Sequence, residues 1–409
     1  MLLDPSSPEG IEARRFVERV RASRPYATTA VLASLIAVFV AESAFGGNED
    51  VVTLAHMGAN VVARTRGGEL ERVLAASTLH HGLMHIAMNG YVLWSLGRVV
   101  EALFGSARFL VLYVCAAILG GLATTLLGGG TVSVGASGAV WGVLTGMGVL
   151  AFRPAGLVPR AAIAGWRRTA IINLVMNVMI SFMPGIDLWA HFGGGFAGAL
   201  LVGTGALTAG LSLERPVSKS PLRGLFATLA AILVLAMVAS VGVAWWRGRP
   251  WELAGEGRYE RVAVTDLGIS VELPSTIARS SVLVPTPIGT ARSFGEEDID
   301  PWVVLLLARA RTQPIADVAS REASLAQAQA ELDAYAPGDG ATSFGPATRM
   351  RAGENAVVLR QFGYPYGGSY VRMIVATASH EVLVEVLSRP GYESSQVIAP
   401  RVASSISGL

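Results

Sequence analysis

Seven apolar stretches, at about 27 to 46, 83 to 104, 109 to 127, 135 to 152, 170 to 186, 188 to 210 and 224 to 246, constrain this chain more than anything else in it. A helix needs about 20 apolar residues to cross roughly 30 Å of hydrocarbon, so runs of these lengths predict a polytopic helical membrane body. Charge tests the count, because short loops rich in Lys and Arg face the cytoplasm. The N-terminal segment, residues 1–26, carries Arg14, Arg15, Arg19, Arg21 and Arg24. The turn after the second run holds Arg98 and Arg108. The one after the fourth holds Arg153, Arg160, Arg167 and Arg168, and the one after the sixth Arg215, Lys219 and Arg223. The connections 128–134 and 184–188 hold no bases; only the long first loop, with Arg64, Arg66 and Arg72, departs from the alternation. Seven spans with a cytoplasmic N-terminus put everything after residue 248 on the outer side.

Past Trp245-Trp246-Arg247, an interfacial anchor by composition, the chain becomes water-soluble. Residues 250 to 409 hold 18 acids and 13 arginines, net −5, against 12 acids and 19 bases, net +7, before them. Strand-like runs at Gly268 to Leu273, Trp302 to Ala308, Ala356 to Phe362, Tyr370 to Ala378 and Glu381 to Leu387 accompany a helical segment from Pro314 to Tyr335 and a last amphipathic stretch from Tyr392 to Ser407. That order predicts an α+β domain. His380 stands alone there, without a clustered nucleophile, base or ligand set. The single Cys115 permits no intramolecular disulfide. The arginines read as membrane flanks rather than a nucleic-acid stripe, and no nucleotide loop or metal finger is spaced in the chain.

The chemistry concentrates in three strings. Gly135-Ala136-Ser137-Gly138 opens the fourth run. A helix from Ser137 to Phe152 is only about 24 Å long at 1.5 Å per residue, so the hydroxyl sits recessed below one surface, at a helix N-terminus suited to a developing oxyanion. Gly138, Gly142 and Gly146 follow every fourth residue and invite a close helix neighbour. The second run begins with His81, His85 and Asn89 on one face. These are either a donor row for a carbonyl oxygen or interhelical hydrogen bonding. A metal shared by the histidines is the weaker alternative, since the glutamate of the zinc-protease helix is missing. In the sixth run His191, Gly194, Gly195 and Gly198 share a face. That face fits the glycine stripe of the fourth run and brings an imidazole to Ser137, which needs a base to be nucleophilic. Asp187, four residues before His191, reads as a helix cap rather than a triad carboxylate, leaving a Ser/His dyad.

Together, His81-Gly82-Leu83-Met84-His85-Ile86-Ala87-Met88-Asn89, Gly135-Ala136-Ser137-Gly138 and Ala190-His191-Phe192-Gly193-Gly194-Gly195-Phe196-Ala197-Gly198 resemble the rhomboid family of intramembrane serine proteases. The resemblance implies an α-helical polytopic membrane protein, with a rhomboid-like six-helix core over 27–210. A linker and seventh transmembrane helix would follow over 211–248, then the extracytoplasmic soluble α+β domain, 249–409. It implies Ser137 as nucleophile and His191 as general base, with His85, Asn89 and the Ser137 N–H around the oxyanion, and Gly138, Gly142, Gly194 and Gly198 as packing glycines. The expected partners are transmembrane protein substrates and membrane lipids, with no nucleic acid, no metal and no cofactor. The soluble domain, which bears a fainter likeness to the PsbP/Mog1-type α/β fold, would take a protein partner. The expected location is a bacterial inner (plasma) membrane, N-terminus in the cytoplasm. The alternative is a catalytically silent relative that binds or escorts membrane helices, and a transporter is disfavoured for want of an intramembrane acid chain. Two positions depart from the family's pattern: Glu71-Arg72 stands where a Trp-Arg pair is usual, and Trp141 where a Tyr is common.

Overall fold

The computed structural model describes residues 7–129, 132–212, 217–253, 258–278, 281–286, 289–297, 299–338 and 340–409. Arg215, counted above with the bases after the sixth run, lies outside them, as do residues 1–6 of the N-terminal segment. The chain packs as two units, Met1–Pro250 and Trp251–Leu409.

In the first unit a helix overlies each of the seven apolar stretches. A lead-in helix, α1 (Pro8–Ala22), precedes α2 (Tyr26–Phe45). The first loop folds into α3 (Val51–Met57), β1 (Asn60–Val61), α4 (Val62–Arg66) and α5 (Arg72–Ala75), because Leu54, Met57, Ala59 and Leu79 give it a small apolar core of its own. Then come α6 (Leu83–Phe104), α7 (Ser106–Leu127), β2 (Val132–Ser133), α8 (Ser137–Phe152), α9 (Arg160–Ser181), α10 (Leu188–Gly203) and α11 (Arg223–Gly248). α2, α7 and the run that includes α11 are long and apolar enough to cross a membrane, whereas α8 and α10 are apolar but short. This is a polytopic helical membrane core.

Three ends differ from expectation, one being the end of α9, which stops at Ser181 rather than 186 as residues 182–187 turn toward α10. α9 begins at Arg160 rather than near 170, since Arg160, Arg167 and Arg168 remove its first turns from an apolar count without breaking a helix. α10 stops at Gly203 rather than 210, where Gly205 at φ +82° turns the chain out of the helix.

Burial in this unit is paid in polar contacts as well as apolar ones. Glu101, 2% exposed, accepts from the Ala27 and Thr28 N–H groups at 2.9 and 2.8 Å, from Thr28 Oγ1 at 2.8 Å and from Ser106 Oγ at 2.6 Å. The first N–H groups of a helix have no intrahelical partner, so this carboxylate closes the start of α2 and ties it to α6 and α7. Arg72, the second residue of the unusual Glu-Arg pair, is buried and donates to the carbonyls of Ala55 and Ala59 and to Glu69. Glu71 pairs with Arg247 of α11 at 3.0 Å.

The second unit is β-rich. Its strands are β3 (Tyr259–Val264), β4 (Ile269–Pro274), β5 (Ser281–Thr286), β6 (Gly289–Phe294) and β7 (Trp302–Ala310), followed by β8 (Thr342–Ser343), β9 (Thr348–Ala352), β10 (Asn355–Gly363), β11 (Ser369–Ala376), β12 (His380–Ser388) and β13 (Ser407–Gly408). Helices α12 (Val318–Ser324), α13 (Ala326–Ala334) and α14 (Ser395–Ser405) complete it. The main sheet is antiparallel in the order β5-β6-β7-β12-β11-β10-β8, with β9 also on β10, and β13-β4-β3 forms a second sheet. Inward residues such as Val304, Leu306, Val371, Met373, Val384 and Val386 alternate along the central strands and pack against β4 and α14. The strands missing from the sequence reading, β3, β5, β6, β8, β9 and β13, are two-residue strands or lie at or next to a sheet edge, so their apolar alternation is weak.

Candidate active site

The glycines that share faces in the sequence also meet in space. A Cβ at Gly194 would collide with the carbonyl oxygen of Gly138, and one at Gly198 with that of Gly142. A Cβ at Gly138 would come within 3.0 Å of the Ala190 carbonyl, and one at Gly142 would strike Ala116. α8 and α10 therefore lie backbone against backbone, closer than any side chain allows. Thr145 Oγ1 donates to the Gly195 carbonyl at 2.7 Å and fastens the same seam.

That approach sets two side chains face to face. Ser137 Oγ lies 2.9 Å from His191 Nε2. His191 is 6% exposed, and its ring stacks on Trp141, with centroids 5.4 Å apart and planes at 28°. Trp141 lies four residues after Ser137 on α8, so the helix that presents the hydroxyl also walls the imidazole. The second ring nitrogen, Nδ1, meets Ser181 Oγ at 2.7 Å. Asp187 does not reach His191: it is the N-cap of α10, accepting from the Ala190 N–H at 2.9 Å and from Thr124 and Ser133 hydroxyls.

Before the serine the backbone is tightly held. Gly135 has φ +125°, and a Cβ there would sit 2.7 Å from the His85 ring, so glycine is required both by conformation and by space. The Gly135 N–H donates to the Ala76 carbonyl at 2.9 Å, and the Ala136 N–H to His80 Nε2 at 3.4 Å. Burial, then the neighbouring His85, push the loop residue His80 down to about 3, so its ring is neutral and Nε2 keeps its lone pair. The next N–H, that of Ser137, is the first of α8 and has no intrahelical acceptor by position.

His85 thus borders the turn that presents Ser137. Asn89, one turn further along α6, is buried, and its Nδ2 donates to the His85 carbonyl at 3.1 Å. His81, grouped with them in sequence, is exposed. A cavity of about 20 Å³, near the space for one water, lies beside the serine turn, lined by Asn60, Ser77, Thr124, Ser133, Gly135 and Gly138 among others. Ser181 went unnoticed in the sequence, where a serine ending a helix is unremarkable. The available signal was a polar residue at the end of the fifth run, separated from His191 by a single short turn.

Comparison with known proteins covers the stretch of chain in which these residues lie. The family model of the rhomboid domain matches residues 67–209. Over 251 residues, 58% of this chain and 46% of the relative, the chain is 30% identical to the Rhomboid protease GluP of Bacillus subtilis (strain 168). It is 34% identical over 162 residues to RHOMBOID-like protein 5 of Arabidopsis thaliana, covering 37% of this chain and 49% of the relative. It is also 32% identical over 152 residues to Inactive RHOMBOID-like protein 8 of the same plant, covering 35% and 40%. The chain thus spans about half the length or less of each of these relatives.

Proposed function

The chain is a rhomboid family member through its residues 67–209, and from that premise we propose that it is an intramembrane serine endopeptidase that cleaves transmembrane segments of other proteins. The observation that carries the reading is the 2.9 Å contact between Ser137 Oγ and His191 Nε2 at the N-terminus of a short apolar helix. A helix-end hydroxyl in hydrogen-bond contact with a buried imidazole is what an activated nucleophile requires.

In this reading His191 Nε2 takes the proton as Ser137 Oγ attacks the scissile carbonyl, then returns it to the leaving amine. The oxyanion is met by the Ser137 N–H, which the preceding turn leaves over while engaging its two neighbours. His85 and Asn89 approach from α6, and one such donor is worth about 2.7–4 kcal/mol. Water then attacks the acyl-enzyme with His191 again as base. The core acts as six helices with α11 as a seventh, and the arginine distribution supports a cytoplasmic N-terminus with the β-rich unit on the outer side. Membrane lipids surround the core, and the β-rich unit binds a protein partner.

Ser137→Ala and His191→Ala test the proposal, assayed on a single-span substrate in proteoliposomes. Both variants are expected to stay folded, with Ser137→Ala close to the wild-type thermal transition, and to lose cleavage. Cleavage retained by either would overturn Ser137 and His191 as the catalytic pair, and a wild type that itself cleaves nothing would favour a protein that binds or escorts membrane helices.

A further inference from the structure

We infer that Ser181 is a positioning residue that fixes the tautomer of His191, an inference that rests on reading His191 as the base for Ser137. Ser181 ends α9 and is the one buried residue of that helix. Its Oγ lies 2.7 Å from His191 Nδ1 and 2.8 Å from the carbonyl oxygen of Asn177. Two oxygens that close need a proton between them, and a carbonyl has none to give. The single hydroxyl proton of Ser181 therefore points at Asn177.

Towards His191 the hydroxyl can then only accept, which requires a hydrogen on Nδ1. A neutral imidazole carries one N–H, so Nε2 is bare, and Nε2 is the nitrogen that faces Ser137 Oγ at 2.9 Å. Three hydrogen bonds run in one direction: Ser137 O–H to Nε2, Nδ1–H to Ser181 Oγ, and Ser181 O–H to the Asn177 carbonyl. The nearest carboxylate on the same helix is engaged elsewhere, since Asp187 caps α10 and accepts from Thr124 and Ser133. The orienting role, taken by an aspartate in a triad, falls to a neutral hydroxyl on the preceding helix. The turn 182–187 is short enough to deliver it to the same depth.

A neutral acceptor orients the ring without supplying a counter-charge, so its loss costs far less than loss of a triad carboxylate. Replacing Ser181 by alanine should lower kcat about tenfold, roughly the worth of one net hydrogen bond, with KM unchanged. The direct readout is the ¹⁵N spectrum of histidine-labelled full-length protein at alkaline pH, with His191 assigned by its disappearance in His191→Gln. The wild type should show His191 protonated at Nδ1. Ser181→Ala should show a mixture with the Nε2–H form, and Ser181→Thr, which keeps the hydroxyl, should restore both spectrum and kcat. Ser181→Cys, similar in size and a poor acceptor, should show the same mixture and covers the case in which the alanine variant fails to fold. An Nδ1–H signal unchanged in the alanine or cysteine variant, or Nε2–H already dominant in the wild type, overturns the inference. The spectrum reads the tautomer whether or not the protein cleaves, and Ser137→Ala in the same preparation reports separately on the endopeptidase reading.

Discussion

Gly194→Ala adds one methyl group where α10 crosses α8, and the structure dictates what it meets. The new carbon would overlap the carbonyl oxygen of Gly138, a backbone atom that cannot rotate away. Non-bonded heavy atoms need about 3.5 Å between them, so the two helices must separate by on the order of 1 Å. The seam carries Ser137 at one end and His191 one turn before the glycine, so the 2.9 Å contact between them opens. Overpacking of this kind costs about 1–3 kcal/mol of stability, and a 1 Å misplacement at a reacting pair costs about 100-fold in rate. Gly203→Ala on the same helix, whose nearest neighbour is Val149 Cγ1 at 3.9 Å, and Gly148→Ala on α8, with open space around it, are the matched controls. Cleavage of the single-span substrate and thermal unfolding in detergent should show about a 100-fold loss and a lowered Tm for Gly194→Ala, with both controls near wild type. A Gly194→Ala protein as fast and as stable as the controls would refute backbone-to-backbone packing as the means by which the pair is brought together.

Glu101→Ala strands the N–H groups of Ala27 and Thr28 and two hydroxyls. At about 1–3 kcal/mol for each buried donor left without an acceptor, a fall in Tm far larger than for an average surface substitution is expected, and an unchanged melting curve would contradict it. Trp141→Ala removes the ring stacked on His191 and should cost about 3–5 kcal/mol, the usual range for a large core aromatic, together with most of the activity. Trp141→Tyr keeps a stacking face, and its cleavage rate should stay within about tenfold of wild type. Arg247→Ala breaks the pair with Glu71, but Arg247 is 45% exposed and screened. Its effect on Tm should correspond to under about 1 kcal/mol and should shrink further in high salt, whereas a collapse of the fold would show that this pair holds α11 in place.

The helical core was legible because membrane burial writes itself as long apolar runs, and the seam because glycine has no other reason to recur every fourth residue on two short runs. Where charge interrupts an apolar run the helix signal stops short: Arg160, Arg167 and Arg168 hide the first turns of α9. The pairing of Glu71 with Arg247 was invisible because it joins residues 176 positions apart, one of them in the seventh run. Ser181 was lost for a related reason, since its role arises only when the ends of α9 and α10 converge on one imidazole. In the β-rich unit the central strands β7, β10, β11 and β12 announced themselves by buried alternation. The hairpin of β5 and β6 did not, with Val282 and Leu283 exposed and Pro285 within the strand.

The central claim is that Ser137 is an activated nucleophile, and covalent capture by a fluorophosphonate measures that directly, without a substrate. The wild-type protein should form a single adduct that mass spectrometry maps to Ser137, and His191→Gln should label at least about 100-fold more slowly, in keeping with what a general base contributes. No adduct at Ser137, or labelling there at the same rate without the imidazole, would contradict the account.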